Sequence, residues 1–378
     1  MTRIEKSMQG TNEAEGQNGN ASKAFPPESS AGEGGHKTGW YRILRHLFPH
    51  KVRRLLVEHD ALEEMHDALE EMRSEVQWLR DRLERSLLLQ GRLAAQSITK
   101  GRPLPTLADA EFRVFSQWGE DGIIEWLTTQ ITVPNNRFIE FGVENFTEAN
   151  CRYLMQNRNW KGLIFDGNED YMTGLRKDRL FWMYDLTAKA AFITAENIND
   201  LISEAGFAGP LGILSIDIDG NDYWIWRAIT VVDPAIVICE FNPFLGDQHA
   251  VTVPYEPQFN RFKHHYSGLY FGASIAALKH LAEQKGYTFV GTNSSGINAF
   301  FVRRDLAGPV LSQLQEVRAF CSRVRGSRDE NGELSFVGGQ ARLDLIRDCP
   351  FVEVKTGATL LLDEMSEPYS SSWKQDID

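Results

Sequence analysis

The chain contains only four cysteines in 378 residues, and none of them belongs to a CxxC pair. Such sparse spacing is unlike the disulfide framework of small secreted domains, so free thiols in a reducing compartment are expected. No apolar run follows the N-terminus, which argues against a signal peptide, and no stretch of about 18 apolar residues exists to span a bilayer. We therefore expect a cytoplasmic protein.

Positive charge is also scarce. Asp and Glu number 52 against 40 Lys and Arg, which gives a formal net charge of −12. A broad nucleic-acid-binding surface requires the opposite sign, so no nucleic-acid partner is expected. Hydrophobic residues make up 42% of the chain, which is enough for the core of a full domain with appendages.

The N-terminal part differs in composition from the rest. Residues 1–38 are rich in Gly, Ser, Asn and Glu and predict a disordered tail. Residues 39–54 combine Lys and Arg with aromatic and aliphatic side chains and contain no acid. This pattern suits two alternatives, a peripheral contact with the inner membrane face or a basic helix packed on the acidic main domain.

A heptad repeat occupies residues 55–83, within a predicted coiled-coil segment of residues 55–96. One seam position holds Leu55, Leu62, Leu69, Val76 and Leu83, and the other holds Met65, Met72 and Leu79. This 3-4-3-4 spacing predicts a coiled coil that joins copies of the chain into a homo-oligomer, most simply a parallel dimer. An amphipathic helix folded back on its own domain is the alternative. Residues 97–110, with Leu104 between two prolines, predict a linker.

Residues 111–304 alternate between short apolar runs and helical patterns. The predicted strands are 137–141, 162–165, 181–184, 212–216, 235–241, 287–290 and 298–302. Short strands joined by helical crossovers predict an α/β domain of Rossmann type, with a seven-stranded, mostly parallel sheet whose last strand is antiparallel. Residues 305–378 predict a helical extension with an acidic tail.

Carboxylates follow the predicted strands, where an open parallel sheet binds its ligands. Those after the first five strands are Glu140, Asp166, Asp185, Asp217 with Asp219, and Glu240. Turns favour Asp for local reasons, which accounts for one or two such acids, but acids at five successive strand ends on one edge predict a functional acidic rim. Gly142 and Gly167 follow the first two acids and allow a ligand to approach the backbone.

The loop after the first strand, Gly142-Val-Glu-Asn-Phe146, lacks the GxGxxG pattern that admits a pyrophosphate. Glu144 would also repel a pyrophosphate. Asp166, at the end of the second strand, suits the hydroxyls of a ribose. An adenosyl ligand with a sulfonium and an amino group, and without phosphates, fits these residues. The expected cofactor is S-adenosylmethionine (SAM).

Six stretches also carry a family resemblance. They are Phe115–Gly122, Ile139–Asn145, Gly162–Gly167, Leu214–Gly220, Val237–Asn242 and Tyr270–Ser274. Over about residues 112–304 the chain resembles the class I SAM-dependent methyltransferases, and more narrowly the FkbM-like enzymes of polysaccharide gene clusters. The resemblance implies O-methylation of a sugar hydroxyl in a surface polysaccharide or lipid-linked glycan. Phe146 departs from the small residues usual in the cofactor loop, where the methionine end of SAM should pass.

These arguments define two sets of candidate residues. The predicted cofactor-binding residues are Glu140, Gly142, Glu144, Asn145, Asp166, Gly167, Asp185 and Asp217. A hydroxyl acceptor needs a base, for which the candidates are Asp219, Glu240, His264 and His265. Alternatively, Asp217, Asp219 and Glu240 chelate a Mg²⁺ ion that polarises the hydroxyl.

Two other functions use the same residues. Asp217-Ile-Asp219 matches the DxD of metal-dependent glycosyltransferases, in which two acids hold a cation against a nucleotide-sugar diphosphate. A coiled-coil scaffold with a degenerate methyltransferase fold is the third interpretation, and Phe146 is its main support.

Overall fold

The computed structural model describes residues 50–98, 103–322, 324 and 326–377. The predicted disordered tail and residues 39–49 of the basic aromatic segment lie outside these residues. The chain divides into two compact units between Trp78 and Leu79. Among the described residues, no helix combines the length and the apolar composition that crossing a membrane requires.

Helix α1 runs from His50 to Ile98, so the predicted helix is present. In the first unit the seam residues from Leu62 to Val76 are strongly exposed, between 42% for Leu69 and 57% for Leu62. Met65, Met72 and Val76 lie within the same range. The heptad face is therefore uncovered in a single chain, and its pairing with another copy stays a prediction.

The part of α1 that follows Leu79 packs on the second unit. Gly91 permits a close approach, since a Cβ atom there would lie 2.6 Å from Val114 Cγ2. Arg92 Nε donates to Asn157 Oδ1 at 2.6 Å, and Ala95 is buried. The end of the predicted coiled-coil segment is thus an integral helix of the domain.

The predicted linker is also built into the domain. Leu104 N–H donates to the carbonyl of Gln313 at 2.7 Å. Leu107–Ala110 forms a 3₁₀ helix whose Leu107 and Ala110 side chains are buried. The prolines on either side of Leu104 therefore mark an extended segment that pairs with residues 313–315.

The second unit contains a seven-stranded sheet with the order β3-β2-β1-β4-β5-β8-β7. Its strands are β1 (Arg137–Phe141), β2 (Lys161–Asp166), β3 (Leu186–Ala190), β4 (Gly209–Ile216), β5 (Val232–Glu240), β7 (Tyr287–Thr292) and β8 (Asn298–Arg303). β1 to β5 are parallel, and β8 runs antiparallel between β5 and β7. The predicted fold is confirmed.

Helices cover both faces of this sheet because its strands alternate their apolar side chains. In β1, Phe138 points into one core and Ile139 into the other. The first core contains α2 (Glu120–Gln130), α3 (Arg152–Arg158), α4 (Glu169–Lys177), α5 (Arg179–Met183) and α10 (Ala307–Ser312). The second contains α6 (Ile198–Glu204), α7 (Asp222–Ala228) and α9 (Ile275–Lys285). Helix α8 (Arg261–His264) lies in the long loop after β5.

The predicted third strand is wrong. Residues 181–184 lie in α5, whose start is capped by Asp178: its Oδ1 accepts the N–H of Leu180 at 2.7 Å. The true β3 begins after Asp185 and ends at Ala190. Asp185 therefore lies at the amino edge of the sheet, where it pairs with Lys161 at 3.1 Å. It does not belong to the rim of acids.

The C-terminal segment contains more than helices. β9 (Pro350–Glu353) pairs with β10 (Thr359–Leu361) and with β6 (Val251–Thr252) in a second, antiparallel sheet. Short helices α11 (Ala341–Asp344) and α12 (Ser371–Ile377) flank it. Strands therefore accompany the short helices of this segment, and the pairing of β9 with β6 ties the segment to the loop after β5.

Candidate active site

A cavity of about 670 Å³ opens at the carboxyl ends of the parallel strands. It lies at the point between β1 and β4 where the strand order reverses, which is where open α/β sheets bind ligands. Gly142 makes this junction possible. Its φ is +71°, and a Cβ atom there would lie 1.7 Å from the carbonyl oxygen of Asp217. The loop after β1 therefore touches the end of β4 directly.

Asp166 holds the loop after β1 in place from the end of β2. Its Oδ2 accepts the N–H of Glu144 at 2.7 Å, and its Oδ1 accepts the N–H of Asn168 at 2.8 Å. Each carboxylate oxygen has two acceptor sites, so capacity remains for two hydroxyl donors from a ligand. Asp166 and Gly167 both line the cavity.

Glu140 has a different environment from Asp166. It is 3% exposed and accepts the N–H groups of Asn150 at 2.6 Å and Cys151 at 3.0 Å. Burial raises the pKa of Glu140 to about 7. The side chain lines the cavity, but its oxygens are engaged in fixing the segment that leads into α3.

Two predicted residues of this loop lie outside the cavity lining. Asn145 is exposed and accepts the N–H of Thr147 at 3.0 Å. Phe146, with φ of +62°, turns its side chain into the core, where it is 1% exposed. The aromatic ring therefore packs beneath the loop and is not among the residues that line the cavity. Glu144 does line the cavity.

The part of the cavity beside the ends of β4 and β5, called its far half, is lined by Asp217 and Glu240. These two form a carboxylate cluster with the buried Asp222. One oxygen of each lies within 4.8 Å of the others. Asp222 is buried and accepts the N–H groups of Ile218 and Gly220 at 2.8 and 2.9 Å. Burial, aided by repulsion from neighbouring carboxylates, raises the pKa values of Asp217 and Glu240 well above the usual range.

Asp219 is separated from this cluster by the turn it makes. Its φ is +57°, and its carboxylate pairs with Arg261 at 2.5 Å. Arg261 also donates to the carbonyl of Gly268 at 2.9 Å and stacks on Phe271. Arg261 is the one basic side chain among the described residues that line the cavity.

His264 and His265 do not line the cavity. His264 is paired with Glu256 at 2.7 Å and stacks on Phe259, with the ring centroids 4.4 Å apart. His265 contacts Ser267 Oγ at 2.7 Å, and partial burial lowers its pKa. The structure leaves Asp219 and Glu240 as the predicted base candidates that face the cavity.

Several cavity residues were missed by sequence reasoning. They include Gln117, Trp118, Asn150, Phe192, Asn221, Phe262 and Asn298. Gln117 and Trp118 lie in Phe115–Gly122, one of the stretches that carry the family resemblance, and could have been predicted from it. Asp121 anchors this stretch by accepting the N–H groups of Val114, Phe115 and Ser116. Asn298 had no such signal, because Glu120, which accepts its amide N–H at 2.9 Å, lies 178 residues away.

No protein-family model matches the chain, so the resemblance to the FkbM-like family is not confirmed. No curated protein matches it either.

Similar solved structures include a SAM-dependent methyltransferase from Clostridium acetobutylicum, 8% identical over 48% of this chain and 89% of that chain, with a TM-score of 0.32. TehB from Haemophilus influenzae is 11% identical over 48% and 62% of the two chains, with a TM-score of 0.31. The CurJ carbon methyltransferase is 12% identical over 48% and 52%, also with a TM-score of 0.31. Because these scores are low, the fold assignment rests on the strand order of the chain itself.

Proposed function

We propose that this protein is a SAM-dependent methyltransferase. The observation that carries the proposal is the Asp166 carboxylate, held at the end of β2 against the loop after β1 and open to the cavity at the switch point. This is where an adenosine ribose binds in Rossmann-like domains. The cavity volume of about 670 Å³ falls within the range of small-molecule sites.

The charges of the cavity favour this cofactor over a phosphorylated one. Glu140, Glu144 and Glu148 line the cavity, and Arg261, its one basic side chain among the described residues, is engaged with Asp219. A diphosphate placed among these carboxylates would be repelled, whereas the amino group and sulfonium of SAM would be attracted. The same argument disfavours the glycosyltransferase interpretation, in which Asp217 and Asp219 hold one cation. Asp217 belongs to the carboxylate cluster, whereas Asp219 pairs with Arg261.

The proposed acceptor is a hydroxyl group, most simply of a glycan. Asn221, Asn260 and Asn298 offer hydrogen bonds in the far half of the cavity, and Phe259 and Phe262 offer apolar faces beside them. When bound, SAM supplies the methyl group: its carbon–sulfur bond breaks as the bond to the acceptor oxygen forms. The hydroxyl proton passes to one carboxylate, for which Asp219 and Glu240 are the candidates that face the cavity.

Replacement of Asp166 with alanine tests the cofactor site. We expect binding of S-adenosylhomocysteine, measured by titration calorimetry, to weaken by about tenfold to a hundredfold, the loss typical of hydrogen bonds to a charged group. Asp166→Asn keeps one acceptor oxygen for the loop, so its affinity for S-adenosylhomocysteine should lie between those of the wild type and of Asp166→Ala. Asp170→Ala, an exposed acid four residues away, is the matched control.

Two results would contradict this proposal. One is unchanged affinity in Asp166→Ala. The other is a wild-type protein that binds a UDP-sugar with Mn²⁺ and gives no heat with S-adenosylhomocysteine, which would favour the glycosyltransferase. Absence of binding to either ligand would favour the scaffold.

We also propose that the heptad face of α1 joins two copies of the chain. Leu69→Glu combined with Val76→Glu should convert the oligomer to a monomer, because charges at adjacent seam positions cannot be buried between helices. Both side chains are exposed in the single chain, so its folding should be unaffected. Sedimentation velocity measures the outcome, with Ser74→Glu on the outer face as the control. A monomeric wild type, or an unchanged oligomer in the double variant, would reject the proposal.

A further inference from the structure

We propose that the carboxylate cluster of Asp217, Asp222 and Glu240 binds a hard divalent cation, with the side-chain oxygen of Asn298 next to it. The three carboxylates come from the end of β4, the start of α7 and the end of β5. One oxygen of each lies within 4.8 Å of the other two. This set differs from the one predicted from the sequence, which was Asp217, Asp219 and Glu240, because Asp222 takes the place of Asp219.

Buried oxygens without partners give independent support. Glu240 Oε2 and Asn298 Oδ1 are buried and accept no hydrogen bond from the described residues. Asn298 is 3% exposed and pairs in register with Glu240 across β5 and β8, so both side chains project from the same face of the sheet. The Asn298 amide nitrogen donates to Glu120 at 2.9 Å, and the residue lines the cavity. Burial of such oxygens is costly unless a ligand satisfies them.

Among the cavity side chains of the described residues, Arg261 is the one cation that offsets the charge of the cluster, and it also faces Asp219. Arg261, the basic side chain there, bonds to Asp219 and to the carbonyl of Gly268. Three neighbouring carboxylates in a buried position repel one another, and a bound cation would remove that repulsion.

The donor chemistry limits the kind of cation. Carboxylate and amide oxygens are the ligands of Mg²⁺, Mn²⁺ and Ca²⁺, whereas zinc and copper sites in proteins use histidine and cysteine. No histidine lines this cavity among the described residues. A cation here would also lie in the half proposed for the acceptor, where it would lower the pKa of a bound hydroxyl.

Binding of Mn²⁺ to the full-length protein, freed of metal with EDTA, tests this inference. Electron paramagnetic resonance measures the concentration of free Mn²⁺, and the difference from the total should correspond to one bound Mn²⁺ per chain. Added Mg²⁺ should displace the bound ion and raise the signal of free Mn²⁺. No SAM or S-adenosylhomocysteine is present, so failure here is distinct from failure of the proposed methyltransferase activity.

Glu240→Gln and Asp217→Asn should each weaken Mn²⁺ binding at least about tenfold, since even outer-shell changes cost this much. Asp170→Asn, at an exposed carboxylate outside the cavity lining, should keep wild-type affinity. Mn²⁺ should raise the melting temperature of the wild type and of Asp170→Asn but not of the other two. A wild type without stoichiometric binding, or equal affinity in all four proteins, would overturn the proposal. If Glu240→Gln does not fold, Asp217→Asn carries the comparison.

Discussion

Substitution of alanine for Gly142 should abolish binding of S-adenosylhomocysteine and lower the free energy of unfolding by about 2–5 kcal/mol. The added methyl carbon would lie 1.7 Å from the carbonyl oxygen of Asp217, which belongs to the backbone and cannot rotate away. The φ of +71° adds the strain that non-glycine residues meet in the left-handed region. The end of β4 or the loop after β1 must therefore move.

Both movements would damage the site. A displaced loop loses the hydrogen bond from Glu144 to Asp166, and a displaced β4 moves Asp217 away from Glu240. Urea unfolding and titration calorimetry measure the two effects separately.

Gly174→Ala is the matched control for this substitution. Gly174 lies in α4, and a Cβ atom there would meet nothing within 4 Å. Alanine is favoured over glycine in a helix interior by about 1 kcal/mol, so this variant should be slightly more stable and bind normally. A Gly142→Ala protein with wild-type stability and affinity would show that the contact between the two strand ends is not required.

The sheet and one edge of the site could be predicted because their signals are local. Apolar runs ending in Glu140-x-Gly142, Asp166 and Asp217 define strands whose carboxyl ends must meet, given right-handed crossovers. Asp185 shows the limit of this reasoning. The aromatic run before it resembles a strand, but the cap supplied by Asp178 commits that run to a helix.

The interior of the site depended on contacts that the sequence does not display. Asn298 reaches the cavity because Glu120, far away in the chain, holds its amide group. Asp222 joins the carboxylate cluster only because the positive φ of Asp219 folds the chain back so that Asp222 accepts two backbone N–H groups of the turn. The DxD spacing suggested Asp219 for that position, and the turn excludes it. Backbone conformation and long-range pairing therefore decide which acids meet.

Glu140→Gln should change how stability depends on pH. Burial raises the pKa of Glu140 to about 7, above its ordinary value of 4.5, so folding favours the protonated carboxyl. The stability this contributes is fully present below pH 4.5 and is lost as the pH rises through about 7. Gln mimics the protonated form at every pH. Between pH 5 and 8 the variant should therefore gain stability relative to the wild type, by up to about 3 kcal/mol.

Urea unfolding at several pH values measures this difference, with Glu148→Gln, at an exposed carboxylate nearby, as the control that should follow the wild type.

At low pH the Glu140→Gln variant also tests the two backbone hydrogen bonds that Glu140 accepts. Glutamine has one acceptor oxygen, so it satisfies the N–H of Asn150 or of Cys151 but not both, which should cost about 1–3 kcal/mol at every pH. The constant cost and the pH-dependent gain are separable because only the second changes with pH. Parallel stability curves for wild type and Glu140→Gln would mean that Glu140 is not held in its protonated form by folding, and that its role is limited to positioning the segment before α3.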